Sequence, residues 1–113
     1  MKREFRLTSS LDYKRVRRLG KSYAHPLLVV IILPAQDKNS LRIGITTGRS
    51  VGKAVDRNRA KRRLKALIDS YLPLIQSGWD IIIIARQAIV AAPFEVIRQT
   101  LEFQFKRSHL LVA

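Results

Sequence analysis

The pattern of apolar and polar positions along the chain resolves six elements. Leu27-Leu28-Val29-Val30-Ile31-Ile32-Leu33 is rich in β-branched residues, short, and closed by Pro34, which marks a mostly buried strand rather than a helix. Polar residues Ala35 to Ser40 make a turn. Leu41 to Thr47 then alternates through Leu41, Ile43 and Ile45 as a second strand, most simply hairpin-paired to the first. Ile81-Ile82-Ile83-Ile84-Ala85 is a third, core strand. Elsewhere the spacing is helical. Ser9-Ser10-Leu11-Asp12 has the form of a helix start, with a hydroxyl at the N-cap and an acid three residues later as in a capping box. A short helix over residues 10 to 18 follows, carrying Leu11, Tyr13 and Val16, and Gly20 stops it.

Residues 49 to 71 hold a second helix, with Ala60, Leu64, Leu67, Ile68 and Tyr71 on a narrow apolar stripe and Pro73 just beyond. Phe94, Ile97, Leu101 and Phe105 recur on one face of a last helix, whose first turn suits Pro93. The order α-β-β-α-β-α describes an α+β fold, a single two-layer domain of sheet and helices. With 113 residues, 47% of them apolar, the chain supplies one modest core and no second domain, so residues 1–113 are read as one unit.

Charge changes the picture most. Twenty-two Lys and Arg face eight Asp and Glu, a formal net charge of +14, and so much self-repulsion in a small body implies a polyanionic partner. The cations are unevenly placed: residues 1–21 and 49–65 hold eight each, and the other 75 residues only six. On a helix, Lys53, Arg57, Lys61 and Lys65 stack at i, i+4 spacing, with Asn58 and Arg62 beside them and Arg59 and Arg63 further round. An ordinary solvated face mixes signs at that spacing, because like charges there destabilise a helix. Here only Asp56 offers any balance. Arginine can fork onto phosphate oxygens and stack on bases, so the pattern suits RNA, with binding that weakens as salt rises.

A membrane is the other common polyanion. The longest apolar run, Leu27 to Leu33, is far below the roughly 20 residues of a spanning helix. Polar Thr8, Ser9, Ser10 and Asp12 follow the basic start where a signal peptide would be apolar, which implies a cytoplasmic protein without a membrane partner. The absence of cysteine removes disulfides and thiolate zinc sites. A self-sufficient nuclease would need paired carboxylates or a histidine base with a partner. The acids show no such spacing, Asp56 and Asp80 read as capping or first-turn residues, and His25 and His109 share no motif, so neither a catalytic nor a metal-ligating residue is assigned.

The run Arg57-Asn58-Arg59-Ala60-Lys61-Arg62-Arg63-Leu64-Lys65, preceded by Gly52-Lys53-Ala54-Val55, closely resembles the signature of the protein subunit of bacterial ribonuclease P. Arg6-Leu7, Asp12-Tyr13, Val16, Gly44 and Ile81 to Arg86 extend the resemblance over essentially the whole chain. The resemblance implies a mixed central sheet with a left-handed crossover between parallel strands in residues 41 to 85, against the usual right-handed rule. It also implies a partnership with a large catalytic RNA, which removes the 5′ leader of precursor tRNA using Mg²⁺ held through RNA, while the protein binds no cofactor and is inactive alone. Carried over position by position, Lys53, Arg57, Asn58, Arg59, Lys61, Arg62 and Lys65 become contacts to the catalytic RNA. Tyr13, Val16, Arg17 and Ile31 fall in a cleft for the single-stranded leader.

A base can stack on the Tyr13 ring whatever its identity, although a half-buried core aromatic is the plainer role. Arg17 and Ile31 stand where relatives carry aromatics and Lys65 where they carry arginine, so leader binding here leans on charge more than on stacking. Residues 1–6 read as a flexible basic arm. Trp79 is read as packing at a sheet edge in preference to a stacking platform. The competing reading is a ribosomal-type structural RNA-binding protein, which shares the charge but not the signature.

Overall fold

A computed structural model of the chain describes residues 1–112. Two strands whose residues are apolar on both faces lie side by side in the middle of its sheet. They are β2 (Leu28–Pro34) and β4 (Trp79–Ala85), paired antiparallel with Ile31 opposite Ile82. Short β1 (Lys21–Tyr23) borders β2 antiparallel, and β3 (Leu41–Thr46) borders β4 parallel, giving the order β1-β2-β4-β3. The hairpin expected between the second and third of these strands therefore does not form. Ile81 and Ile83 enter one core and Ile82 another, so β4 must be covered on both faces, and it takes the central place beside β2. Strand β3 carries Arg42 and Thr46 and tolerates the edge.

Three helices complete the two faces: α1 (Ser10–Leu19), α2 (Ala54–Tyr71) and α3 (Phe94–Arg107). The larger core joins Leu28, Val30, Ile32, Ile43, Ile81 and Ile83 to Leu64 and Ile68 of α2 and to Ile97, Leu101 and Phe105 of α3. The smaller core, Leu7, Val16, Ile31 and Ile82, lies under α1. Residues 41 to 85 contain the β3-α2-β4 connection between neighbouring parallel strands, where the resemblance places the crossover.

Several local readings change. Ser9 is the N-cap of α1 but its side chain caps nothing, and Asp12 turns away from the helix end to bind arginines. Pro93 is the N-cap of α3, so Phe94 sits at the rim with 44% of its surface exposed. Trp79 opens the central strand β4, paired with Leu41 and Pro34 and packed on the larger core, rather than standing at an edge. Residues 1–6, which repulsion alone would leave loose, contain a 3-10 turn at Arg3–Phe5. Arg6 then runs parallel to β3, and the Leu7 N–H donates to the Ile43 carbonyl at 3.1 Å.

Candidate nucleic-acid interface

The basic helix α2 buries Ala60, Leu64, Leu67, Ile68 and Tyr71 and leaves its other residues exposed or half-buried. Lys53 is its N-cap rather than part of its stack, and it follows Gly52, whose φ of +147° is a conformation that side chains resist. Lys53, Asn58, Arg59, Lys61 and Arg62 are exposed, while Arg57 and Lys65 are half-buried. Among the described residues no ion pair reaches any of the cations in residues 49–65. The cations do not form one patch. Asn58, Lys61, Arg62 and Lys65 line an open groove with Val55, whereas Arg59 lies beside Arg63, Ile89 and Val90 on the opposite flank. Three successive residues, Arg57, Asn58 and Arg59, thus point to different sides of the helix, as rotation by about 100° per residue requires.

The positions expected to hold a leader divide between surface and interior. Val16, on the inner face of α1, is fully buried, and Ile31 of β2 beneath that face retains only 6% of its surface. In this structure they support the cleft and offer it no surface. Tyr13 and Arg17, one turn apart, occupy one flank of α1, and Arg17 is exposed. The Tyr13 ring rests on Gly44 of β3 so closely that a Cβ there would lie 2.2 Å from the hydroxyl oxygen. Burial pushes the Tyr13 hydroxyl above its ordinary pKa, against the opposing effects of a hydrogen bond with the Ile45 backbone and of Arg17. The phenol stays protonated at neutral pH and can donate to an anion.

Two residues past Gly44 on the same face, Thr46 pairs with Ile84, and Ile84 pairs with Val29. All three are half-buried and form the open floor beside α1. Sequence reasoning missed them, although strand alternation from Gly44 and Ile31 points to them.

The other flank of α1 is fixed by charge. Asp80, fully buried in β4, accepts from Arg42 at two atoms, Nε and Nη2, each at 3.0 Å, and from Arg15 Nη2 at 2.5 Å. Asp12 accepts from Arg42 at 3.0 Å and from Arg15 at 3.4 Å. Pairing with Asp80, opposed by burial and reinforced by Asp12, raises the Arg42 pKa further and holds its charge. Asp80, read from the sequence as a capping or first-turn residue, lies inside β4, and Asp12, read as the acid of a capping box, sits in the first turn of α1 but binds arginines. Instead the four side chains lock α1 to β3 and β4. Among the described residues no group of three or more His, Cys, Asp or Glu could hold a metal ion, and no helix is long and apolar enough to cross a membrane.

An α+β sandwich that keeps a basic helix whose cations no ion pair reaches on one side and a half-open aromatic cleft on the other is built as an RNA-binding protein. The sequence pattern of the family described as Ribonuclease P matches residues 1–109, and the chain belongs to that family. The ribonuclease P protein component of Symbiobacterium thermophilum is 42% identical over 111 residues, covering 98% of this chain and 96% of that protein. That of Herpetosiphon aurantiacus is 38% identical over 110 residues, covering 97% and 89%. The RNase P protein of Staphylococcus aureus superposes with a TM-score of 0.87 at 28% identity, covering 96% of this chain and 98% of that one. That of Thermotoga maritima gives 0.79 at 29% identity, covering 90% and 96%. Membership makes the chain the protein component of a ribonucleoprotein endoribonuclease, with RNA binding and precursor-tRNA processing as its work, and sets aside the ribosomal-type reading.

Proposed function

We propose that the protein joins the catalytic RNA of ribonuclease P through α2 and holds the 5′ leader of precursor tRNA in the cleft between α1 and the sheet, in the cytoplasm. The hydrolysis belongs to the RNA and to Mg²⁺ bound through it. The protein supplies charge and a stacking surface. The observation that carries the reading is the row of cations on α2 that no carboxylate answers. Folding that places like charges together at a cost of a few tenths of a kcal/mol per pair is compensated when phosphates arrive. Lys53, Arg57, Asn58, Arg59, Lys61, Arg62 and Lys65 are the proposed contacts to catalytic RNA. Tyr13 and Arg17 are the surface contacts to the leader, with Val16 and Ile31 beneath them.

Reconstitution tests this. The protein alone cleaves no precursor tRNA, and added to the cognate catalytic RNA it lowers the Mg²⁺ needed for cleavage. The double change Arg57→Ala and Arg59→Ala weakens affinity for the catalytic RNA, whereas Tyr13→Ala weakens binding of leader-bearing tRNA and leaves mature tRNA unchanged. Robust cleavage by RNA-free protein, or equal losses on mature and precursor tRNA in both variants, overturns it.

A further inference from the structure

Phe103 shows half its surface (51%) to solvent on the outer side of α3, and it does not stand alone. Tyr23 of β1 pairs with Val30 and shares its face, that of the larger core, so its ring lies on the side of the sheet away from α1. The Arg107 guanidinium, one turn beyond Phe103, lies 5.4 Å from the Phe103 ring centre and 5.5 Å from that of Tyr23. Lys21 Nζ stands 5.3 Å from the Tyr23 ring, and the His25 ring is 6.3 Å from that of Phe103. Three rings and two cations thus make one surface at the β1 edge of the sheet, the edge opposite β3.

The surface is held in place from beneath. Fully buried Gln104 donates through Nε2 to the Tyr23 carbonyl at 2.6 Å and to the Leu28 carbonyl at 3.1 Å, and Arg107 Nη2 donates to the Ala24 carbonyl at 2.7 Å. The Leu27 N–H donates to His25 Nδ1 at 3.1 Å, which leaves Nε2 as the donor of that ring. A ligand therefore meets rings already ordered, and ordering them adds no cost to binding. The surface is also positive. No acid occurs between Asp12 and Asp37, and among the described residues no ion pair reaches Lys21 or Arg107.

We infer that this surface is a second single-strand RNA site, which takes one or two unpaired nucleotides of an RNA molecule distinct from both the catalytic RNA and the precursor. Bases stack on exposed rings whatever their sequence, and Lys21 and Arg107 stand where the adjoining phosphates would lie. A guanidinium beside a ring keeps its in-plane N–H groups free for phosphate. The strand is a separate one because the positive track is interrupted on both sides. The sheet itself stands between this surface and α1. Towards α2 the seam is balanced: Tyr71 of α2 donates to Glu102 at 3.1 Å and accepts from Arg98 at 3.3 Å, while Glu95 pairs with Arg98 and Glu102 with Lys106.

The test uses holoenzyme saturated with a long-leader precursor tRNA that is blocked at its scissile linkage, so that α2 and the cleft are both occupied. A short, unstructured, fluorescent RNA is the probe. Its anisotropy should rise on binding, and Phe103→Ala with Arg107→Ala should lower its affinity about tenfold, as expected for the loss of one stacked base. Arg107→Lys, which keeps the charge and loses the planar fork, should fall between. Lys21→Ala should flatten the log–log salt dependence by about 0.7, the single-strand value for one phosphate. A 5-iodouridine in the probe should crosslink on irradiation to Tyr23 or Phe103, and cleavage of an unblocked precursor should be unchanged in every variant.

A probe that does not bind the loaded holoenzyme, or binds wild type and the double variant equally, overturns the site. Polyglutamate that displaces the probe as readily as unlabelled RNA of the same charge would show a surface that reads charge alone and suits an acidic protein, which overturns it as well. If the variants slow precursor cleavage in step with the loss of probe binding, the surface belongs to assembly of the holoenzyme and no separate strand is held there.

Discussion

At Gly44 a single missing atom decides where an aromatic ring can rest. The Tyr13 hydroxyl occupies the space a Cβ would fill, so Gly44→Ala must push the ring off β3. What yields is the far end of a flexible side chain rather than backbone, and the cost should stay near the low end of overpacking, about 1 kcal/mol. The functional cost should be larger than that figure suggests, because the displaced ring no longer faces the Thr46, Ile84 and Val29 floor. Urea unfolding should show a small shift in midpoint, and long-leader precursor binding a selective loss. A variant that unfolds outright, or binds long leaders normally, would contradict this role for the glycine. The resemblance singled out Gly44 and Tyr13 separately, but nothing in the sequence says that they touch. Val16 and Ile31 teach the converse, since their positions are legible and their burial between α1 and the sheet is not.

Elements were legible where one periodicity governs them and illegible where pairing decides. α2 begins at Ala54 rather than at residue 49, and β1, Lys21-Ser22-Tyr23, carries no β-branched run. The extents of α1 and α3 and the end of α2 do follow from apolar spacing, and β2, β3 and β4 from short β-branched runs. Their adjacency did not follow, because a six-residue polar turn between Pro34 and Leu41 invites a hairpin. The stronger signal was the unbroken Ile81 to Ile84 run, which demands cover on both faces and hence a central position. That placement is also what brings Asp80 under Arg15 and Arg42. The basic face of α2 could be read directly, being local in sequence, whereas the meeting of Arg6 and Thr8 with Tyr13, Lys61 and Lys65 around one cavity depends on Arg6 running beside β3.

The lock on α1 yields a prediction of its own. Asp80→Asn keeps one carbonyl acceptor but removes the buried negative charge that two arginines share, and breaking such a pair costs about 3–5 kcal/mol when both partners are fully buried. The Arg15 and Arg42 side chains keep 26% and 33% of their surface exposed and can turn to water, so a value near the lower end, about 3 kcal/mol, is expected in denaturant unfolding. Loss of less than about 1 kcal/mol would mean that Asp12 alone holds the helix.

Over the whole molecule the net charge of +14 makes one variable act in opposite directions on folding and on binding. In the free protein the cations of residues 1–21 and 49–65 repel one another, and salt at 0.15 M shortens their reach to about 8 Å. Raising a chloride salt from low to physiological strength should therefore raise the thermal midpoint of the free protein. The Asp80 network, with its buried carboxylate, is little screened and should not offset that gain. Binding to RNA responds the other way, because each neutralised phosphate releases counterions and contributes about 0.7 to 0.9 to the negative log–log slope. A protein whose basic face were matched internally by acids would lose stability with salt and show a shallow binding slope. Thermal scans of the free protein and equilibrium binding to the catalytic RNA over the same salt series therefore separate the two cases. A midpoint that stays flat or falls would mean that the cations are already neutralised within the fold, and the basic helix would then have no charge to offer an RNA.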